Sequence, residues 1–115
     1  MFFEYHQTPI NGEYVSDSRL CAHVLIEAQS CEEANRIAES LGMCFSNNDD
    51  DYTEPCRWER CYYEIVFPSK WDNLTFYNPE DYSNFIFERR RRVGIKLSGP
   101  HSRIHYKGGR IREIG

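Results

Sequence analysis

The most concentrated chemistry in the sequence is the run Glu88-Arg89-Arg90-Arg91-Arg92, followed by Lys96, Arg103, Lys107, Arg110 and Arg112. A guanidinium stays charged and donates two parallel hydrogen bonds from one plane, the geometry that a phosphate accepts. Aromatic residues are interleaved with these cations, among them Trp58, Trp71, Tyr82, Phe85, Phe87 and Tyr106. Such rings stack nucleobases for roughly 1–3 kcal/mol each and stack guanidiniums as well. The combination points to a compact phosphorylated ligand that carries a base. The candidate binding residues are then Arg57, Trp58 and Arg60 in mid-chain, Arg89, Arg91 and Arg92 in the run, and Arg103, His105, Tyr106, Lys107 and Arg110 near the end. Against this stands a plainer reading, in which the run is a solvated helix end favoured by the helix dipole and most rings fill the core.

The net charge of −4 conceals a strong asymmetry. Residues 1–55 hold eleven carboxylates against Arg19 and Arg36, about −9, while residues 89–115 hold nine Lys and Arg against Glu113, about +8. An acidic remainder repels long polyanions and admits a small one, so a compact ligand fits the balance better than a general RNA or DNA partner. The alternative is a nucleic-acid or host-protein binding module that uses the basic C-terminal face as a platform.

Other chemistries find less support. Neither a P-loop spacing nor a dinucleotide-binding glycine fingerprint occurs. Cys56 and Cys61 lack the second ligand pair of a zinc knuckle, and Cys21, His23, Cys31 and Cys44 form no metal pattern. His101-Ser102 is not repeated as a paired-histidine phosphoesterase requires, so no catalytic residue, metal or cofactor is assigned. His101 and His105 are expected to be exposed or in contact with ligand. His6 and His23 alternate with apolar strand positions, which suits hydrogen-bonded structural roles.

The elements that must position these residues can be read from pattern and punctuation. Phe2 to His6 predicts a first strand, with Tyr14-Val15 extending the sheet, and residues 20–28 predict a second, central strand. Ser30 and Glu33 form a capping box, after which Ala34, Ile37, Ala38 and Leu41 make one apolar stripe and Gly42 ends the helix. Met43 to Phe45 predicts a short strand, Ser46 to Asp51 an acidic loop, and Tyr62 to Phe67 a third long strand closed by Pro68. Asn78-Pro79-Glu80-Asp81 opens a helix reaching Phe87 or Arg90, against a competing strand over Phe85 to Phe87. Val93 to Leu97 alternates like a strand, and Gly108-Gly109 joins two strands as a two-residue hairpin loop.

These elements make one α+β domain over residues 1–115, a small antiparallel or mixed sheet with one or two helices and a C-terminal hairpin. No apolar stretch approaches the ~18 residues of a membrane helix. Five cysteines behind an N-terminus without signal-peptide character lead to an expectation of reduced thiols and a cytoplasmic location.

The segments Phe3-x-Tyr5-His6-Gln7, Val24-Leu25-Ile26-Glu27-Ala28 and Glu33 to Glu39 with Gly42 resemble a widespread family of small bacteriophage proteins. The likeness covers roughly residues 1–65 and leaves out the basic C-terminal part. It implies a phage context in the bacterial host cytoplasm. Small phage proteins without catalytic motifs are similar in outline to anti-defence sponges, which sequester the cyclic nucleotides or ADP-ribose signals of systems such as Thoeris or CBASS. The function this implies is non-enzymatic capture of such a signal, in a pocket at a homo-oligomer interface.

Overall fold

A computed structural model describes residues 1–9, 14–45, 58–61, 63–92 and 100–115, with Arg91 and Arg92 described by their helical backbone alone. The fold is α+β, a five-stranded mixed sheet with a helix on each face and a separate two-stranded ribbon. The strands are β1 (Phe2–His6), β2 (His23–Glu27), β3 (Glu64–Ile65), β6 (Ser102–His105) and β7 (Ile111–Ile114), in spatial order β3-β1-β2-β6-β7. The pair β2 and β6 is parallel and every other pair is antiparallel. The ribbon is β4 (Ser69–Trp71) with β5 (Leu74–Phe76).

Because side chains alternate across a strand, each strand serves two cores. Phe3, Tyr5, Val24 and Ile26 point to one face and pack with Ala34 and Ala38 of α1 (Cys31–Ser40), together with Phe45 and Trp58. Ile37 and Leu41 complete that stripe. The helix begins as its capping box requires, with Ser30 Oγ accepting from Glu33 N at 3.1 Å. It ends at Gly42, whose φ of 112° only glycine adopts cheaply, while Met43 N and Gly42 N close back on the carbonyls of Ala38 and Glu39.

Leu25, Ile104 and Ile114 form the second core, packed by Phe2, Ile65, Tyr82 and Phe87. Here α2 (Pro79–Arg92) supplies the cover, so the competing strand over residues 85–87 gives way to helix. Asn78 Oδ1 accepts from Asp81 N at 2.9 Å, and Pro79, Glu80 and Asp81 fill the first turn, where acids meet the positive end of the dipole.

Several expectations change. Tyr14-Val15 joins no strand, and Met43 to Phe45 reduces to an isolated bridge between Phe45 and Trp58. The long strand over 62–67 shrinks to Glu64–Ile65 at the sheet edge, with Tyr62 outside the described residues. The expected acidic loop 46–51 and strand 93–97 lie outside them too. The hairpin loop is Lys107-Gly108-Gly109, three residues, since Tyr106 N still donates to Arg110 O. The ribbon around Asp72-Asn73 has no counterpart in the sequence reading. Cys21, Cys31 and Cys61 are free thiols as expected, whereas Cys44 is disulfide-bonded.

Asn35 ties α1 to the sheet. Its Oδ1 accepts from Tyr5 Oη (2.7 Å) and Cys61 N (3.0 Å), and its Nδ2 donates to Cys61 O (3.1 Å). Asn35→Ala removes three bonds at once and is expected to cost about 2 kcal/mol, read as a lower urea midpoint at unchanged m-value.

Candidate functional site

The α2-facing side of the sheet carries polar residues where a core is expected. Glu4 and His6 are two apart on β1 and share a face, and His23 lies directly opposite His6 in the β1–β2 register. Glu4 Oε2 is the hub. It accepts from His23 Nε2 at 2.7 Å, from Tyr82 Oη at 2.5 Å and from His6 Nε2 at 3.2 Å. Behind it, His23 Nδ1 lies 2.6 Å from Ser102 Oγ, and this fixes the tautomer: Nε2 carries the proton and Nδ1 accepts from the hydroxyl.

Burial alone would raise the Glu4 carboxyl, but the hydrogen bonds it accepts from His23 and His6 overcome it and hold the group well below the ordinary carboxylate range. Burial lowers His23 despite its bond to Glu4, so its imidazole is neutral. Burial and the adjacent Glu4 push Tyr82 far up, which keeps it a phenol that donates.

The order Ser102–His23–Glu4 is that of a hydrolase triad. Accessibility argues against that chemistry, since Ser102 and His23 are 0 % exposed and no substrate carbon can reach the hydroxyl. The chain of hydrogen bonds instead anchors a cleft above it.

That cleft, about 470 Å³, lies between β1, α2 and the ribbon. Glu4, His6, Trp71, Tyr82, Ile86, Arg89 and Arg90 line it, a volume and a mix of apolar and polar lining typical of small-ligand sites. Arg89 stacks on Trp71 with its guanidinium carbon 4.7 Å from the ring centre, and Trp71 meets Phe85 edge-on. Arg90 lies over the Tyr14 ring at 5.3 Å and its Nη2 donates to His6 Nδ1 at 3.3 Å. Its Nη1 is buried and has no acceptor. A buried N–H without a partner is costly and is the kind of group that an incoming anion satisfies.

Among the described residues, those expected to bind ligand do not converge. Arg89 is in the cleft. Trp58 is 4 % exposed and packs in the α1-side core, where no base can stack on it. Arg60 stacks on Phe45 and Arg110 on Tyr106, two different regions of the sheet. His105, Tyr106 and Lys107 line a separate depression of about 280 Å³ with Glu27 and Glu33. Arg57 and the side chains of Arg91 and Arg92 lie outside the described residues.

Arg103 and His105 are buried because β6 is an inner strand with both faces covered. The Arg103 guanidinium donates to the carbonyls of Asp17 and Leu20 and to Glu113 Oε1 (3.1 Å), and His105 Nε2 donates to Arg19 O (2.9 Å). Both staple the 17–20 loop to the sheet. Arg103→Leu takes the donor from the Asp17 carbonyl, one of two donors from the Leu20 carbonyl and the partner of Glu113, and is expected to cost about 2–3 kcal/mol, seen as a lower melting temperature. His101, expected at the surface, is buried with neither ring nitrogen paired.

Of the residues that line the cleft, Arg89 alone belongs to the expected binding set; Glu4, His6, Trp71, Tyr82, Ile86 and Arg90 do not. The one signal that could have found Glu4 and His6 is their i, i+2 spacing on an aromatic strand, which puts two polar groups on one face.

A family model described as a domain of unknown function, DUF7296, matches residues 1–115. The chain belongs to this family. No curated protein and no solved structure matches it. Among the described residues no helix is long and apolar enough to cross a membrane.

Proposed function

We propose that this DUF7296 protein binds a small phosphorylated nucleotide in the cleft between β1 and α2 and holds it uncleaved. The observation that carries the reading is the buried, unpaired Nη1 of Arg90 beside Arg89, in a cleft that also offers Trp71 and Tyr82 as ring surfaces. A phosphate oxygen satisfies the orphaned donor once the Arg90 side chain turns it into the cleft, and the Arg89 guanidinium supplies a further pair of hydrogen bonds. A base stacks against the exposed indole, which is 40 % accessible. The inaccessibility of Ser102 favours retention over hydrolysis.

The likeness of residues 1–65 to small phage proteins extends the proposal to biology. The ligand is then a cyclic nucleotide or ADP-ribose signal of a bacterial immune system, and the protein acts in the host cytoplasm by sequestering it.

A thermal-shift panel of cyclic dinucleotides, cyclic ADP-ribose, ADP-ribose, AMP and inorganic phosphate tests the reading. A ligand at 100 times its dissociation constant adds about 2.7 kcal/mol of stability, a shift of several degrees. Chromatography of the heated complex should return that ligand intact. Arg90→Leu should weaken binding about 10- to 100-fold while Arg110→Leu leaves it unchanged. No shift with any compound, or steep salt-dependent binding to random RNA instead, contradicts the reading.

A further inference from the structure

Three metal-ligating atoms meet at the floor of the cleft. Glu4, His6 and His23 each offer one ligand atom, and these three atoms all lie within 4.8 Å of one another. The two imidazole nitrogens stand 3.2 and 2.7 Å from the carboxylate oxygen. Donors around an ion at about 2.1 Å are separated by roughly 3.0–3.4 Å, so the set needs only small side-chain rotations to close on one centre.

The backbone imposes this arrangement. Glu4 and His6 project from the same face of β1, and His6 pairs with His23 across the β1–β2 ladder. His23 is fully buried and its ring plane is fixed by Ser102 at the far nitrogen, the support that a metal-bound imidazole ordinarily has. Tyr82 Oη orients the carboxylate in the same way. His6 is half exposed, with its side chain 48 % accessible, and turns toward an ion once its 3.3 Å contact with Arg90 gives way.

We propose that Glu4, His6 and His23 form a divalent transition-metal site that opens into the cleft. Two imidazoles and one carboxylate suit zinc, iron, cobalt or nickel over calcium or magnesium, which prefer all-oxygen shells. Three protein ligands leave at least one coordination position, and it faces the volume lined by Trp71, Arg89 and Arg90. A phosphate oxygen fits that position, and this part of the inference rests on the nucleotide reading above.

Both imidazoles bind as neutral ligands and keep their protons. That of His23 passes from Nε2 to Nδ1, where Ser102 Oγ accepts it. That of His6 likewise moves to Nδ1, which displaces Nη2 of Arg90. Glu4 exchanges two histidine hydrogen bonds for a metal bond and stays ionised. No electron changes hands. The displaced Arg90 then has both terminal nitrogens available to an anion, so metal and phosphorylated ligand should each strengthen binding of the other.

The test is titration of cobalt(II) into the metal-free full-length chain, followed by visible absorption and by calorimetry with zinc. The expected result is one equivalent bound, a d–d spectrum without a thiolate-to-cobalt band, and at least a tenfold loss of affinity in His6→Ala. Since His6 is half exposed, that variant should fold, with circular dichroism as the check, and Glu4→Gln provides a second variant. No cobalt or zinc bound by folded protein, a thiolate band, or undiminished affinity in His6→Ala overturns the site. Parallel nucleotide titrations in chelator separate the two proposals. Ligand bound there with no cobalt uptake overturns the metal site alone, and cobalt uptake without any nucleotide response upholds the metal site while overturning the nucleotide reading.

Discussion

Glu4→Ala is expected to destabilise the protein by about 3–5 kcal/mol, the largest loss from any single polar substitution in the sheet. Three donors converge on one carboxylate oxygen, and two of them, His23 Nε2 and Tyr82 Oη, belong to side chains enclosed between β1, β2 and α2. Alanine strands the fully buried His23 donor and takes the acceptor from Tyr82 and from half-exposed His6. Part of the cost is the missing hydrogen bonds to a carboxylate and part is the desolvation of His23 Nε2, which water cannot reach. Glu4→Gln keeps an acceptor oxygen at the same place and should lose less than half as much. Urea unfolding of the two variants, with m-values compared, checks the difference. Equal losses would mean that the negative charge of Glu4, and neither its acceptor oxygen nor its packing, carries the whole effect.

Acid lability is the second large effect. Burial lowers His101 to about 3, with the positive charge of Arg90 adding to it, and burial also lowers His23 and His105. A histidine whose folded value lies below its unfolded value of about 6.5 contributes stability that is complete above that pH. As pH falls from 6.5 toward 3 the unfolded chain binds a proton that the folded chain refuses. Stability therefore declines with acid, by up to about 1.4 kcal/mol per pH unit for each such group. The depressed Glu4 carboxyl acts in the same direction at lower pH. Melting temperatures measured from pH 7.5 to 4.0 should fall steadily, and His101→Leu should flatten the slope. A melting temperature that rises toward pH 5 is incompatible with these burials.

Much of the architecture was legible from local chemistry. Ser30 with Glu33, Gly42, and Asn78-Pro79 carry their meaning within four residues, because caps and dipole contacts are local. The alternation of Phe2 to His6 and the apolar run through Val24-Leu25-Ile26 likewise set two strands in place. What failed was the face assignment of the last hairpin. Arg103 and His105 alternate with Ile104 and Tyr106 as in a half-exposed strand, yet the parallel pairing with β2 carries β6 into the sheet interior, where both faces are covered. Nothing local announces that crossover. The site was hidden for a related reason. Glu4 and Tyr82 are 78 positions apart and His23 and Ser102 are 79 apart; packing of α2 on the sheet joins the first pair and the β2–β6 register joins the second. The arginine run did mark one wall of the cleft, where its described side chains Arg89 and Arg90 lie.

The central claim is that the cleft above Glu4 accepts an anion through Arg89 and Arg90. Nitrogen-15 NMR of the arginine side chains, titrated with the phosphorylated compound that gives the largest thermal shift, tests it most directly. The account predicts that the Arg89 and Arg90 signals move in proportion to occupancy, while those of Arg103, already bonded within the fold, and of Arg110 stay in place. Movement of Arg110 and Arg60 with Arg89 and Arg90 unchanged would contradict it.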